Sequence, residues 1–149
     1  MAKYTFRLAS LLRLREATRD ECRQALAQVL RDDDRLVQQL ADVRKRRLAL
    51  RAEGQTAVRP GLLNVERLRD SQRYEQSLHA AETEFLEQRS QLAVEIERRR
   101  TALVAADTEV RALEKLREAG LARYQQEQER AEMQQLDEAA QRQAVEKLS

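Results

Sequence analysis

Apolar residues recur at helical spacing over two long stretches of this chain. In the first, positions seven apart read Leu8, Arg15, Cys22, Val29, Leu36, Val43 and Leu50. A companion row four residues on reads Leu12, Arg19, Leu26, Asp33, Leu40 and Arg47. In the second stretch one row is Leu78, Phe85, Leu92, Arg99, Ala106 and Leu113, and its companion is Ile96, Leu103, Val110, Arg117 and Tyr124. An α-helix brings residues three and four apart onto one stripe, so paired rows of this kind form the seam of a left-handed coiled coil. Arg and Asp interrupt that seam at several core positions. Between the stretches lies the cluster of helix breakers Gly54-Gln55-Thr56-Ala57-Val58-Arg59-Pro60-Gly61. Pro60 disfavours helix at Arg59 and removes a backbone donor. Asn64 can cap a new helix, and Glu66 suits its positive end. The pattern predicts a helix from about Thr5 to Glu53, a loop over 54–63 and a second helix from about Asn64 to Glu146.

A stripe that narrow cannot bury itself on one helix in water. The loop is short enough to return the second helix along the first, and pairing within one chain has a high effective concentration. The expected fold is therefore all-α: an antiparallel two-helix coiled coil, or long α-helical hairpin, with the second helix longer than the first. It forms a single domain over residues 1–149. In that arrangement Leu8 sits near Val110, and everything past Leu116 lacks a partner in the same chain. A parallel homodimer broken at Pro60 is the alternative.

Composition narrows the function. Aromatics make up only 3% of the residues, with three glycines, one proline and no tryptophan, so there is little material for a compact core or for turns. An enzyme with a pocket is not expected. His79, the one histidine, falls on a charged surface, and a single His cannot assemble a zinc site alone. Cys22 lies on the seam, where a small apolar side chain is wanted, and as the only cysteine it suits a reducing compartment. Asp32, Asp33 and Asp34 are consecutive on a helix and point about 100° apart, so they do not converge on one ion. There is no Gly-rich phosphate loop, and neither a metal nor a cofactor is expected. No secretory apolar region or stretch of about 20 apolar residues is evident, which points to the cytoplasm.

Charge is unevenly placed. From Arg44 to Arg73 nine basic residues stand against Glu53, Glu66 and Asp70, a surplus of six at the hairpin tip. From Tyr124 to Ser149 three basic residues face six acidic ones. A basic tip carrying Arg44, Arg46, Arg47 and Arg51 suits an acidic partner or anionic lipid. Nucleic acid is disfavoured, since no aromatics interleave with the arginines to stack on bases. At the other end Tyr4, Phe6, Leu8, Leu11, Leu12 and Leu14 are more apolar groups than a two-stranded seam can cover. Some of them are exposed or reserved for another protein.

The opening Phe6-x-Leu8-x-x-Leu11-Leu12-x-Leu14-Arg15-Glu16 resembles the start of the flagellar export protein family FliJ. So does Leu113-Glu114-Lys115-Leu116-Arg117-Glu118 with Tyr124, Asp137 and Glu138, and Tyr74 with Leu78 is similar to the family's second-helix start. The resemblance spans nearly the whole chain. It implies a two-helix coiled coil similar to the axle of rotary ATPases, seated in the hexameric export ATPase FliI. It also implies contact with the export gate protein FlhA and with export chaperones, at the inner-membrane base of the flagellum, with no small-molecule substrate. Carried onto this chain, the ring-facing set is Phe6, Leu8, Leu11, Leu12, Leu14, Arg15, Glu114, Leu116, Tyr124, Asp137 and Glu138. The gate-facing part is the middle and tip, adding Tyr74 and Leu78 to the tip arginines. A stalk of a virulence-type secretion ATPase and a generic coiled-coil adaptor are the competing readings.

Overall fold

The computed structural model describes residues 3–57 and 65–148. Nearly all of them lie in two α-helices, α1 (Ala9–Ala57) and α2 (Val65–Leu148), and among the described residues there is no strand. The two helices pack on each other as a helical hairpin with α2 the longer arm, as the heptad rows predict.

Contacts divide the chain into two units, one joining Met1–Glu21 to Val104–Ser149 and the other comprising Cys22–Leu103. In the first, Leu12, Ala106, Val110 and Leu113 are buried, and Phe6 and Leu8 pack against Leu12, Val110 and Leu113. Arg15 pairs with Glu109 at 3.0 Å, and Arg19 lies 3.9 Å from Asp107. Partner numbers fall on α2 as they rise on α1, so the helices run antiparallel here. In the second unit the buried side chains are Leu36, Leu40, Val43 and Leu78. Asp33 pairs with Arg89, Arg44 with Glu82 and Arg47 with Glu75, again antiparallel. Among the described residues, all eight buried ones belong to the predicted rows. Each buried Leu or Val contributes about 1.5–3 kcal/mol by leaving water.

The helix ends differ from the sequence expectation in instructive ways. α1 continues through Gly54 to Ala57, because one glycine costs a helix only about 1 kcal/mol and does not stop it. The rest of the predicted loop, with Pro60 and Gly61, and the Asn64 cap lie outside the described residues. At the other end α1 begins at Ala9 and not at Thr5. The Ala9 N–H donates to the Phe6 carbonyl at 3.2 Å, and residues 3–6 lie outside any helix, with the Tyr4 and Phe6 rings against α2.

Candidate partner-binding surfaces

The residues expected to face an ATPase ring divide into two groups. Phe6, Leu8 and Leu12 are spent on the hairpin's own core. Tyr124 is taken up by Tyr4, the ring centroids 5.6 Å apart and tilted by 46°. Beside that pair stands Gly120, where an added Cβ would overlap the Tyr4 hydroxyl. A helix-interior glycine is thus the notch that admits Tyr4. The sequence counts Tyr4 only within the apolar surplus of the N-terminus and gives no sign of Gly120, since a glycine within a helix carries no partner signal. Arg15 is tied to Glu109, and Glu114 is half-buried. Leu11 is exposed, and Leu14 and Leu116 more so at 61% and 55%.

Beyond Tyr124 every described residue of α2 is exposed. This bare segment, 125–148, covers roughly seven turns or 36 Å of helix. It carries Asp137 and Glu138, and also Met133, Leu136, Val145 and Leu148, four large apolar side chains that the sequence reading passed over. Their signal was available: apolar groups on a stretch with no facing helix have no core to enter.

The basic residues of the Cys22–Leu103 unit are less free than their count implies. Arg47 occupies the seam and donates from Nη2 to Glu75 at 3.0 Å and from Nη1 to Glu82. Arg44 Nε donates to Glu82 at 3.1 Å, and Arg51 lies 3.8 Å from Glu75. Hydrogen bonds from Arg44 and then Arg47 hold the Glu82 carboxyl below its ordinary value, and Glu82 and Glu75 raise Arg47 in return. These two acids sit just past Arg73, outside the stretch whose surplus was counted, and belong to the same α2 row as Ile96 continued backwards. Arg46 and Tyr74 are exposed, whereas Leu78 is only 5% exposed and serves as core.

Asp33, interrupting the α1 row, accepts from Arg89 Nε at 3.0 Å, while Asp32 accepts from Gln28 at 3.1 Å. The aspartate triplet is therefore divided between the seam and the surface. Among the described residues no group of His, Cys, Asp or Glu is placed to hold a metal ion, and no helix is long and apolar enough to cross a membrane.

No curated protein and no solved structure matches the chain. A family model described as flagellar FliJ protein matches residues 4–149. That match takes in the packed N-terminal segment, both helices and the bare end of α2, so the chain belongs to the FliJ family and is a protein of flagellar export.

Proposed function

We propose that the chain is the non-catalytic central stalk of the flagellar type III export ATPase, coupling a hexameric FliI-like ring to an FlhA-like export gate and assisting delivery by export chaperones. It would work in the cytoplasm, peripheral to the inner membrane at the base of the flagellum. The observation that carries this reading is the bare segment 125–148, a single helix with exposed Met133, Leu136, Val145 and Leu148 next to the packed N-terminal segment. A single helix inside a six-fold ring cannot touch all subunits alike, so it biases each subunit's conformational equilibrium differently. It couples to ATP turnover only as far as it binds the nucleotide states with different affinity. The ring-facing surface on this reading is Leu11, Leu14, Leu116 and the bare segment, with Asp137 and Glu138. Phe6, Leu8, Leu12 and Tyr124 shape it from within. The gate-facing surface is Arg46 and Tyr74 with the outer sides of Arg44 and Arg51.

The test is ATP hydrolysis by the cognate FliI-like ATPase with and without the protein. Intact protein should raise turnover. Leu14→Ser with Leu116→Ser, and separately Met133→Ser with Leu136→Ser, should lower the stimulation while leaving the circular dichroism at 222 nm unchanged. Full stimulation by both double variants would refute the assignment.

A further inference from the structure

In the unit Cys22–Leu103 the α1 row reads Leu26, Asp33, Leu40, Arg47, and the α2 row facing it reads Glu75, Glu82, Arg89, Ile96. Asp33 and Arg89 form one charged layer, with the Asp33 side chain 21% exposed. Two heptads along, Arg47 lies between Glu75 and Glu82, with Arg47 at 20% and Glu82 at 16% exposed. Arg44 and Arg51 extend this second layer into an alternating run, Arg44–Glu82–Arg47–Glu75–Arg51. These charges are only partly buried, with Arg89 41% and Glu75 32% exposed, and add little net stability, because solvent screening and partial desolvation offset their attraction; apolar layers would hold the helices at least as well.

What the charges supply is discrimination between alignments. The apolar rows leave the alignment open. Leu36, Val43 and Leu50 on α1 and Leu78, Phe85 and Leu92 on α2 repeat every seven residues, so a slide of one heptad, about 10 Å, again sets apolar against apolar. The connection does not forbid it, since seven residues, 58–64, can reach about 24 Å. The charges do. A slide that brings Asp33 level with Glu82 sets carboxylate on carboxylate and leaves Arg89 against Leu26. The opposite slide leaves Asp33 against Ile96 and Arg89 against Leu40, and it puts Arg89 in the place of Glu75 as one of the two neighbours of Arg47.

We propose that these two layers, ordered acid-to-base at Asp33–Arg89 and base-to-acid at Arg47–Glu75/Glu82, are a register lock that admits one alignment of α1 on α2 and excludes heptad slides. Within this unit a signal then passes by movement of the paired helices together and not by one sliding along the other.

The experiment measures alignment directly in the full-length chain. Nitroxide labels go at Ala41 and Arg98 in a Cys22→Ser background, both exposed positions. They are separated along the axis by about two heptads, roughly 20 Å, so a slide changes their distance by most of its length. Dilution with unlabelled protein keeps the double electron–electron resonance signal within one chain. The unaltered seam should give one narrow distance. Asp33→Arg removes the attraction to Arg89 and favours Glu82, so it should add a population several ångströms longer. Combining Asp33→Arg with Arg89→Asp should return the single distance.

If Asp33→Arg does not fold, a second variant decides the matter: leucine at Asp33, Arg47, Glu75, Glu82 and Arg89 together. It should stay helical and resist urea at least as well, yet show several distances. One unshifted distance in the leucine variant, or in folded Asp33→Arg, overturns the proposal. So does a second population that persists in the charge exchange.

Discussion

Gly120 and Tyr4 offer a substitution whose sign is set by two effects of similar size. Gly120 lies inside α2, where replacing glycine by alanine is worth about 1 kcal/mol of helix stability. The new Cβ would overlap the Tyr4 hydroxyl and lie 3.1 Å from its Cζ, so the ring must leave its notch. Tyr4 lies before the first helix and can swing away, but it then gives up its contact with Tyr124. An aromatic pair contributes about 0.5–1.5 kcal/mol beyond its buried area. The two effects therefore cancel to within about 0.5 kcal/mol, and Gly120→Ala alone should barely move the melting temperature. With Tyr4→Ala already made, the clash is absent and only the helix gain is left. Gly120→Ala should then raise the melting temperature by about 2–4 °C, the shift that 1 kcal/mol produces in a chain of this size. Thermal unfolding at 222 nm of the four proteins in this cycle measures the coupling. Gly54→Ala is the control: nothing lies within 4 Å of a Cβ there, so its effect should be the same with or without Tyr4. An equal rise from Gly120→Ala in both backgrounds would show that Tyr4 does not occupy the notch.

Three further outcomes are expected. Val110 is fully buried, so Val110→Ala should cost about 2 kcal/mol in urea unfolding, whereas Val145→Ala on the bare end should stay within about 0.5 kcal/mol. Glu82 is held below its ordinary value of 4.5 by hydrogen bonds from Arg44 and Arg47, so its contribution is present above that value and is lost as pH falls through the lower folded one. Acidification below about 4.5 should therefore destabilise the unaltered protein more than Glu82→Gln, and parallel stability-versus-pH curves would disprove the link. If the proposed function holds, Arg46→Gln with Tyr74→Ser, both exposed, should weaken binding to an FlhA-like export gate in a pull-down while ATPase stimulation holds. If gate binding persists and stimulation is lost, the two ends have been assigned the wrong way round.

Periodicity is a local property of the chain, and what rests on it was legible in the sequence. The seven-residue rows contain all of the buried residues Leu12, Leu36, Leu40, Val43, Leu78, Ala106, Val110 and Leu113, and Leu8, which the arm lengths place near Val110, packs against the cluster of Leu12, Val110 and Leu113. The same rows placed Asp33 and Arg47 in the seam but not their partners. Glu75, Glu82 and Arg89 belong to a row that a search for apolar residues begins only at Ile96, so the tip looked more basic and more available than it is. Which charge meets which is a matter of register between two helices, and register depends on every layer at once, not on any local run. Tyr4 in the notch of Gly120 lies further still from the sequence. It joins a residue before α1 to one two-thirds of the way along α2, and nothing local to either anticipates the other. Local periodicity suffices for the helices, their seam and the excess length of α2. Tertiary structure alone decided which apolar and charged groups are consumed inside the hairpin and which stay free for a partner, because that depends on contacts between residues distant in the chain.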